Sequence, residues 1–180
     1  MSLEDYTRYF VKRDLSGDEI AKLIGREPVL YSDLKKYSSI SQLLGKFGYV
    51  VILYQKTGFD GHYVALFEDK DGNLNFQDSY GYSPDVPINM KLLPYDEPLP
   101  RYLTMLLEKS ARKLIVNNYD YQSRKPNTAD CGRHACLRIR LRNLSNDQYR
   151  TLLTHNKSPF LNSDNCVTML TLLSLNDFQK

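Results

Sequence analysis

The sequence predicts an α+β fold: a small mixed sheet packed against helices, with Cys131 at the N-terminus of a central helix. Three observations predict it. Residues 49–54 are a β-branched and apolar run beside Gly48, the pattern of a buried strand. Residues 62–68 and 74–79 flank Asp69-Lys70-Asp71-Gly72-Asn73, which has hairpin composition. Around these strands stand segments with helical spacing and cap signals at their ends.

The first 45 residues read as short helices. Ser16 and Glu19 fit a capping box ahead of Ile20, Leu23 and Ile24, and Gly25 is a stop. Residues 32–44 carry Leu34, Tyr37, Ile40 and Leu44 at helical spacing, closed by Gly45. The hairpin that follows has two registers. A two-residue loop at Asp71-Gly72 places His62 and Asp78 on opposite faces. A three-residue loop, with Gly72 in the left-handed position of a bulge, pairs Asp69 with Asn73. His62 then lies opposite Tyr80 and Asp78 opposite Val64, diagonal neighbours roughly 7–8 Å apart on one face. Only this second register lets the imidazole and the carboxylate meet, and it is the one expected.

Residues 83–100 hold Pro84, Pro87, Pro94, Pro98 and Pro100, a crossing segment with little regular structure. A helix over 101–110, a short strand over 113–117 and an irregular loop over 119–129 lead to the helix beginning near Cys131. Asp130 is its natural N-cap. Gly132, Ala135, Cys136 and Ile139 share a face whose small residues suit close packing on the sheet. Arg138, Arg140 and Arg142 complement the C-terminal end of its dipole. Helices over 147–156 and 163–175 complete the chain.

Composition bounds the function without naming it. The 180 residues fit one domain, 1–180, with a core of normal size. A net charge of +3 is too small to argue for nucleic acid. No apolar run reaches membrane-spanning length, and the acidic N-terminus lacks a secretory apolar region. Three cysteines make no disulfide framework and suit a reducing compartment.

Chemistry concentrates at Asp130-Cys131-Gly132, Gly61-His62-Tyr63 and Gln77-Asp78-Ser79-Tyr80-Gly81. A helix N-terminus favours a thiolate, and the three stretches together offer a nucleophile, a base and an orienting carboxylate. Singly, each has a plainer reading: a small buried cysteine, a structural histidine, a strand end. The chain has three histidines. His134 is one turn beyond Cys131, where an imidazole usually points along the helix side, and His155 lies in a polar, exposed stretch. His62 is the base that remains. Cys136 and Cys166 read as core. Cys131, His134 and Cys136 lack a second ligand pair for zinc, so no metal or other cofactor is expected.

The order His-Tyr, a strand ending Asp-Ser-x-Gly, a Gln-containing loop and Asp-Cys-Gly entering a helix resembles the adenain-type cysteine proteases. That group includes adenovirus-type maturation proteases and SUMO-specific proteases. The nearest relatives it suggests are capsid-maturation proteases of virophages and related double-stranded DNA viruses. The resemblance covers residues 48–142. It implies a papain-type arrangement with His62 as general base, Asp78 as its orienter and Cys131 as nucleophile. The family's oxyanion hole pairs a Gln side-chain amide with the cysteine's own backbone N–H. Lys125 stands where many relatives place that Gln. Gln122, the only Gln in the loop, is favoured, with Asn127 as the competing amide. Tyr63 replaces the Trp that often follows the histidine.

The resemblance implies a cysteine endopeptidase that cleaves viral capsid precursors through a thioester. The alternatives are a ubiquitin- or SUMO-type deconjugating peptidase and an inactive binding module on the same fold. Polypeptide substrates and location in the virion or the host cytoplasm (the viral factory) follow from it, and a monomer with no membrane partner is expected. A DNA or peptide activator is not legible in these residues.

Overall fold

A computed structural model describes residues 2–57, 60–89, 99–125, 128–155 and 162–175. Helices α1 (Leu3–Phe10) and α2 (Gly17–Ile24) open the chain, each with a complete capping box, from Ser2 and Asp5 and from Ser16 and Glu19. Strand β1 (Val29–Leu30), a 3-10 turn (Tyr31–Lys36) and α3 (Ile40–Leu44) follow. Next come β2 (Tyr49–Thr57), β3 (Asp60–Glu68), β4 (Leu74–Gln77) and α4 (Val86–Asn89). Then α5 (Tyr102–Ser110), β5 (Leu114–Val116), α6 (Cys131–Arg140), α7 (Asn146–Thr154) and α8 (Ser163–Leu175) complete the described elements. The architecture is α+β.

The sheet runs β1-β2-β3-β4-β5, an antiparallel meander of β2, β3 and β4 with a parallel strand at each edge. Period-2 alternation divides its two faces. Val50, Ile52, Tyr54, Val64, Leu66, Leu74 and Phe76 join α3 and α5 in one core. Val51, Leu53, Tyr63, Ala65 and Phe67 meet α2 and α6 in the other. A meander buried on both faces explains why β2 reads as an unbroken apolar run.

The hairpin adopts the expected register. Glu68 pairs with Leu74 and Ala65 with Gln77. The Asp69 N–H donates to the Asn73 carbonyl at 3.1 Å, and Gly72 has φ +77°. That left-handed backbone is why a glycine stands there.

Two expectations are corrected. The helix expected over 32–44 is broken, because Ser39 caps a new helix by accepting the Gln42 N–H, and Tyr37 is extended. The apolar spacing survives the break, since Leu34 and Ile40 enter the same core. Val29–Leu30, within the stretch read as helical, is an edge strand. In the Pro-rich segment, residues 86–89 form α4 and residues 90–98 lie outside the described residues. Beside it, buried Asp85 accepts from the Tyr31 hydroxyl at 2.8 Å and the Thr104 N–H at 2.8 Å, tying α5 to the 3-10 turn.

Helix α6 packs across β3, which is what brings Cys131 to the strand bearing His62. Its C-terminal end is closed by buried Arg138. This guanidinium donates to the Leu141 and Leu144 carbonyls at 2.9 and 3.0 Å and lies over the rings of Phe67 and Tyr149. The arginines expected to complement the dipole thus include one that binds the carbonyl of the C-cap residue, Leu141, directly.

Candidate active site

His62 sits near the start of β3, one residue after a glycine with no room for a side chain. A Cβ on Gly61 would run into the Tyr54 carbonyl oxygen and come within 2.8 Å of Leu53 Cδ1. The close approach of β2 at this point holds the His62 backbone. Its side chain meets Asp78, just beyond β4, with Nε2 3.0 Å from Oδ2. This is the diagonal contact that the register implies.

Asp78 is fully buried and anchored through Oδ1 and its backbone. Its Oδ1 accepts the Tyr80 N–H at 2.8 Å. Its backbone N–H and carbonyl are both bound by the Asn117 side chain, each at 2.9 Å. Tyr80 also stacks on the His62 ring, with centroids 5.2 Å apart and planes at 20°. Carboxylate and aromatic ring therefore fix the imidazole in two directions.

Cys131, the first residue of α6, acts on the same ring and raises its proton affinity. The Tyr63 N–H points at Sγ from 3.5 Å. Burial pulls the His62 imidazole down, but hydrogen bonds to Asp78 and Cys131 outweigh it and push the group up to about 10. The direction of that shift favours the protonated ring beside the Asp78 carboxylate.

Gln122 is buried, and its placement depends on Ser79. The Ser79 hydroxyl donates to Oε1 at 2.6 Å, and the Gln122 N–H donates to the Ser79 carbonyl at 3.0 Å. With Oε1 occupied, the amide –NH₂ is the end left to donate. Asn127 lies outside the described residues.

Asp130 departs from expectation. It is the N-cap residue, yet its side chain makes no capping hydrogen bond. Its carboxylate instead faces His134, with Oδ2 3.6 Å from Nε2, and the same nitrogen is 3.5 Å from Asp164 Oδ1 on α8. All three residues are buried, with their ligand atoms within 4.8 Å of one another. Burial pulls His134 down, but Asp130 and Asp164 push it up to about 9. Burial pushes the Asp130 carboxyl up, against the pull of His134 and with a further push from Asp164. His134 is therefore an interior residue held between two carboxyl groups and not a side-facing one.

Sequence reasoning missed Asn117, Ser79 and Asp164 as supports of the site. Ser79 belongs to the Asp-Ser-Tyr-Gly run and carried a signal. Asn117 and Asp164 carried none, because their partners are far along the chain. His155 is exposed, and Cys136 and Cys166 are buried, as expected.

An open groove of about 800 Å³ adjoins the site through Tyr63. Leu15, Leu30 and Leu53 line it with Asp14 and Asp18. Among the described residues no helix is long and apolar enough to cross a membrane.

Fold and site define an α+β protein with a Cys-His-Asp constellation at a helix N-terminus. No family model matches the chain. It is 32% identical over 171 residues to uncharacterized protein V9 of Sputnik virophage, an alignment covering 92% of this chain and 98% of that protein. The chain belongs to the same family as this virophage protein.

Proposed function

We propose that the chain is an adenain-type cysteine endopeptidase that cleaves structural-protein precursors during virion maturation. One observation carries this reading: the His62 ring lies 3.0 Å from Asp78, and the sulfur of Cys131, which acts on that ring, accepts from the N–H of the very next residue, Tyr63, at 3.5 Å. A nucleophile, a base and an orienter joined in series are the requirement for acyl transfer. The groove beside Tyr63 gives room for an extended polypeptide, and a relative encoded by a virophage suits a viral precursor as substrate.

In this reading the Cys131 sulfur attacks the scissile carbonyl carbon. The oxyanion that forms is met by the Gln122 amide and the Cys131 N–H. Protonated His62 then gives its proton to the departing amine, leaving a thioester. Water attacks the thioester as His62 takes a proton from it. Collapse of the second oxyanion releases the carboxylic acid and expels the Cys131 thiolate, restoring the pair it makes with protonated His62. Asp78 keeps the ring in one orientation and balances its charge throughout.

Incubating virophage capsid precursors with the chain and with Cys131→Ala, then mapping new termini by mass spectrometry, tests the proposal. Cleavage by the wild type alone is expected. Equal cleavage by Cys131→Ala, or none by either, would refute it. Turnover of ubiquitin-like conjugates in place of the precursors would shift the substrate class to isopeptides.

A further inference from the structure

The segment carrying Gln122 is gripped from two sides. On one side the Tyr121 and Gln122 N–H groups both donate to the Ser79 carbonyl, at 2.8 and 3.0 Å. On the other, the start of α8 holds it. The Ser163 hydroxyl donates to the Tyr121 carbonyl, and the Ser123 N–H donates to both oxygens of Asp164, at 3.2 and 3.1 Å. Asp164 also faces His134, which faces Asp130. Asp130 and His134 bracket Cys131 on the first turn of α6. One chain of buried charges therefore links the helix bearing the sulfur to the loop bearing the amide.

We propose that Asp130, His134 and Asp164 form a positioning clasp that sets the Gln122 amide in register with Cys131. The proposal rests on the peptidase reading above. None of the three touches the reacting atoms; they act through residues 121–123. Charge-assisted hydrogen bonds are roughly twice as strong as neutral ones, and a buried polar network specifies one arrangement over its neighbours. An oxyanion donor demands such a device, because its nitrogen must lie ~2.7–3.1 Å from the developing charge. A displacement of about 1 Å can cost ~10²-fold in rate. Ser123 adjoins Gln122, so release of its N–H passes directly to the donor.

The test compares the full chain with Asp164→Ala, Asp164→Asn, Gln122→Ala and the Asp164→Ala/Gln122→Ala double variant, on the precursor cleaved in the assay above. Asp164→Ala is expected to lower kcat roughly 10-fold with KM unchanged. Asp164→Asn, which keeps an acceptor, should recover part of that loss. In the Gln122→Ala background Asp164→Ala should cost nothing further, because the group it positions is gone. Alkylation of Cys131 by iodoacetamide, which builds no oxyanion, should keep its rate. Equal fold-losses in both backgrounds would overturn the clasp. If Asp164→Ala does not fold, Asp164→Asn must show an intermediate loss that vanishes without Gln122. Amide hydrogen exchange gives a readout independent of turnover. Exchange at Ser123 should quicken in Asp164→Ala and Asp164→Asn, and an unchanged rate would also overturn the clasp. A chain that cleaves nothing would defeat the peptidase reading, while exchange would still decide whether the clasp holds the loop.

Discussion

His62 Nε2 lies 3.0 Å from Asp78 Oδ2, and the two side chains reach one another from diagonal positions on adjacent strands. Asp78 is thus both the orienter of the ring and a principal source of its raised proton affinity. Wild-type activity should persist until pH rises through about 10, where the imidazolium loses its proton. Asp78→Asn keeps a hydrogen-bonding group but removes the charge. The alkaline limb of kcat/KM should then move down by ~1–3 pH units, with a lower plateau. A pH–rate profile with an unmoved limb would contradict this role.

Gly61→Ala should damage the site from outside it. The added methyl meets backbone of β2, which cannot swing aside, so β3 must shift at the residue preceding His62. We expect a loss of about 1–3 kcal/mol in urea unfolding and a fall in kcat. Unchanged unfolding would show that the strands tolerate the methyl.

Gln122→Ala should lower kcat by ~10²-fold if its amide meets the oxyanion. Ser79→Ala should cost less, because it frees the amide to rotate without removing it. Steady-state kinetics separate the two. An unimpaired Gln122→Ala beside an impaired Asn127→Ala would transfer the role to Asn127.

His134 makes folding stability depend on pH. Its folded value of about 9 exceeds the ordinary 6.5, so its contribution is fully present below 6.5 and is lost as pH rises through about 9. Asp130, whose carboxyl is also pushed up, acts in the same direction. Melting temperatures of the wild type should fall across this window more steeply than those of His134→Gln, and parallel curves would refute the cationic cluster.

What could be read from sequence follows the range of each interaction. The β3–β4 register was legible because Gly72 sets the turn locally and strand alternation propagates it to His62 and Asp78. The capping boxes were legible for the same reason: each spans three residues. The break between Leu34 and Ile40 was hidden, since both sides contribute apolar residues to one core and the period does not show the interruption. Asp130 was misread because capping is the local preference of an aspartate before a helix. A buried imidazole on the same helix and a carboxylate thirty residues beyond it outweigh that preference. Asn117 likewise holds Asp78 across 39 residues, with no local mark of its task.

The coupling of His62 to Cys131 is tested most directly by the rate of iodoacetamide modification at Cys131, measured near neutral pH in the wild type and in His62→Ala. Cys131 should react faster than an ordinary thiol, ahead of Cys136 and Cys166 although all three are buried, and should lose that advantage in His62→Ala. A wild-type rate no greater than that of a free thiol, or one indifferent to His62, would contradict the proposed nucleophile.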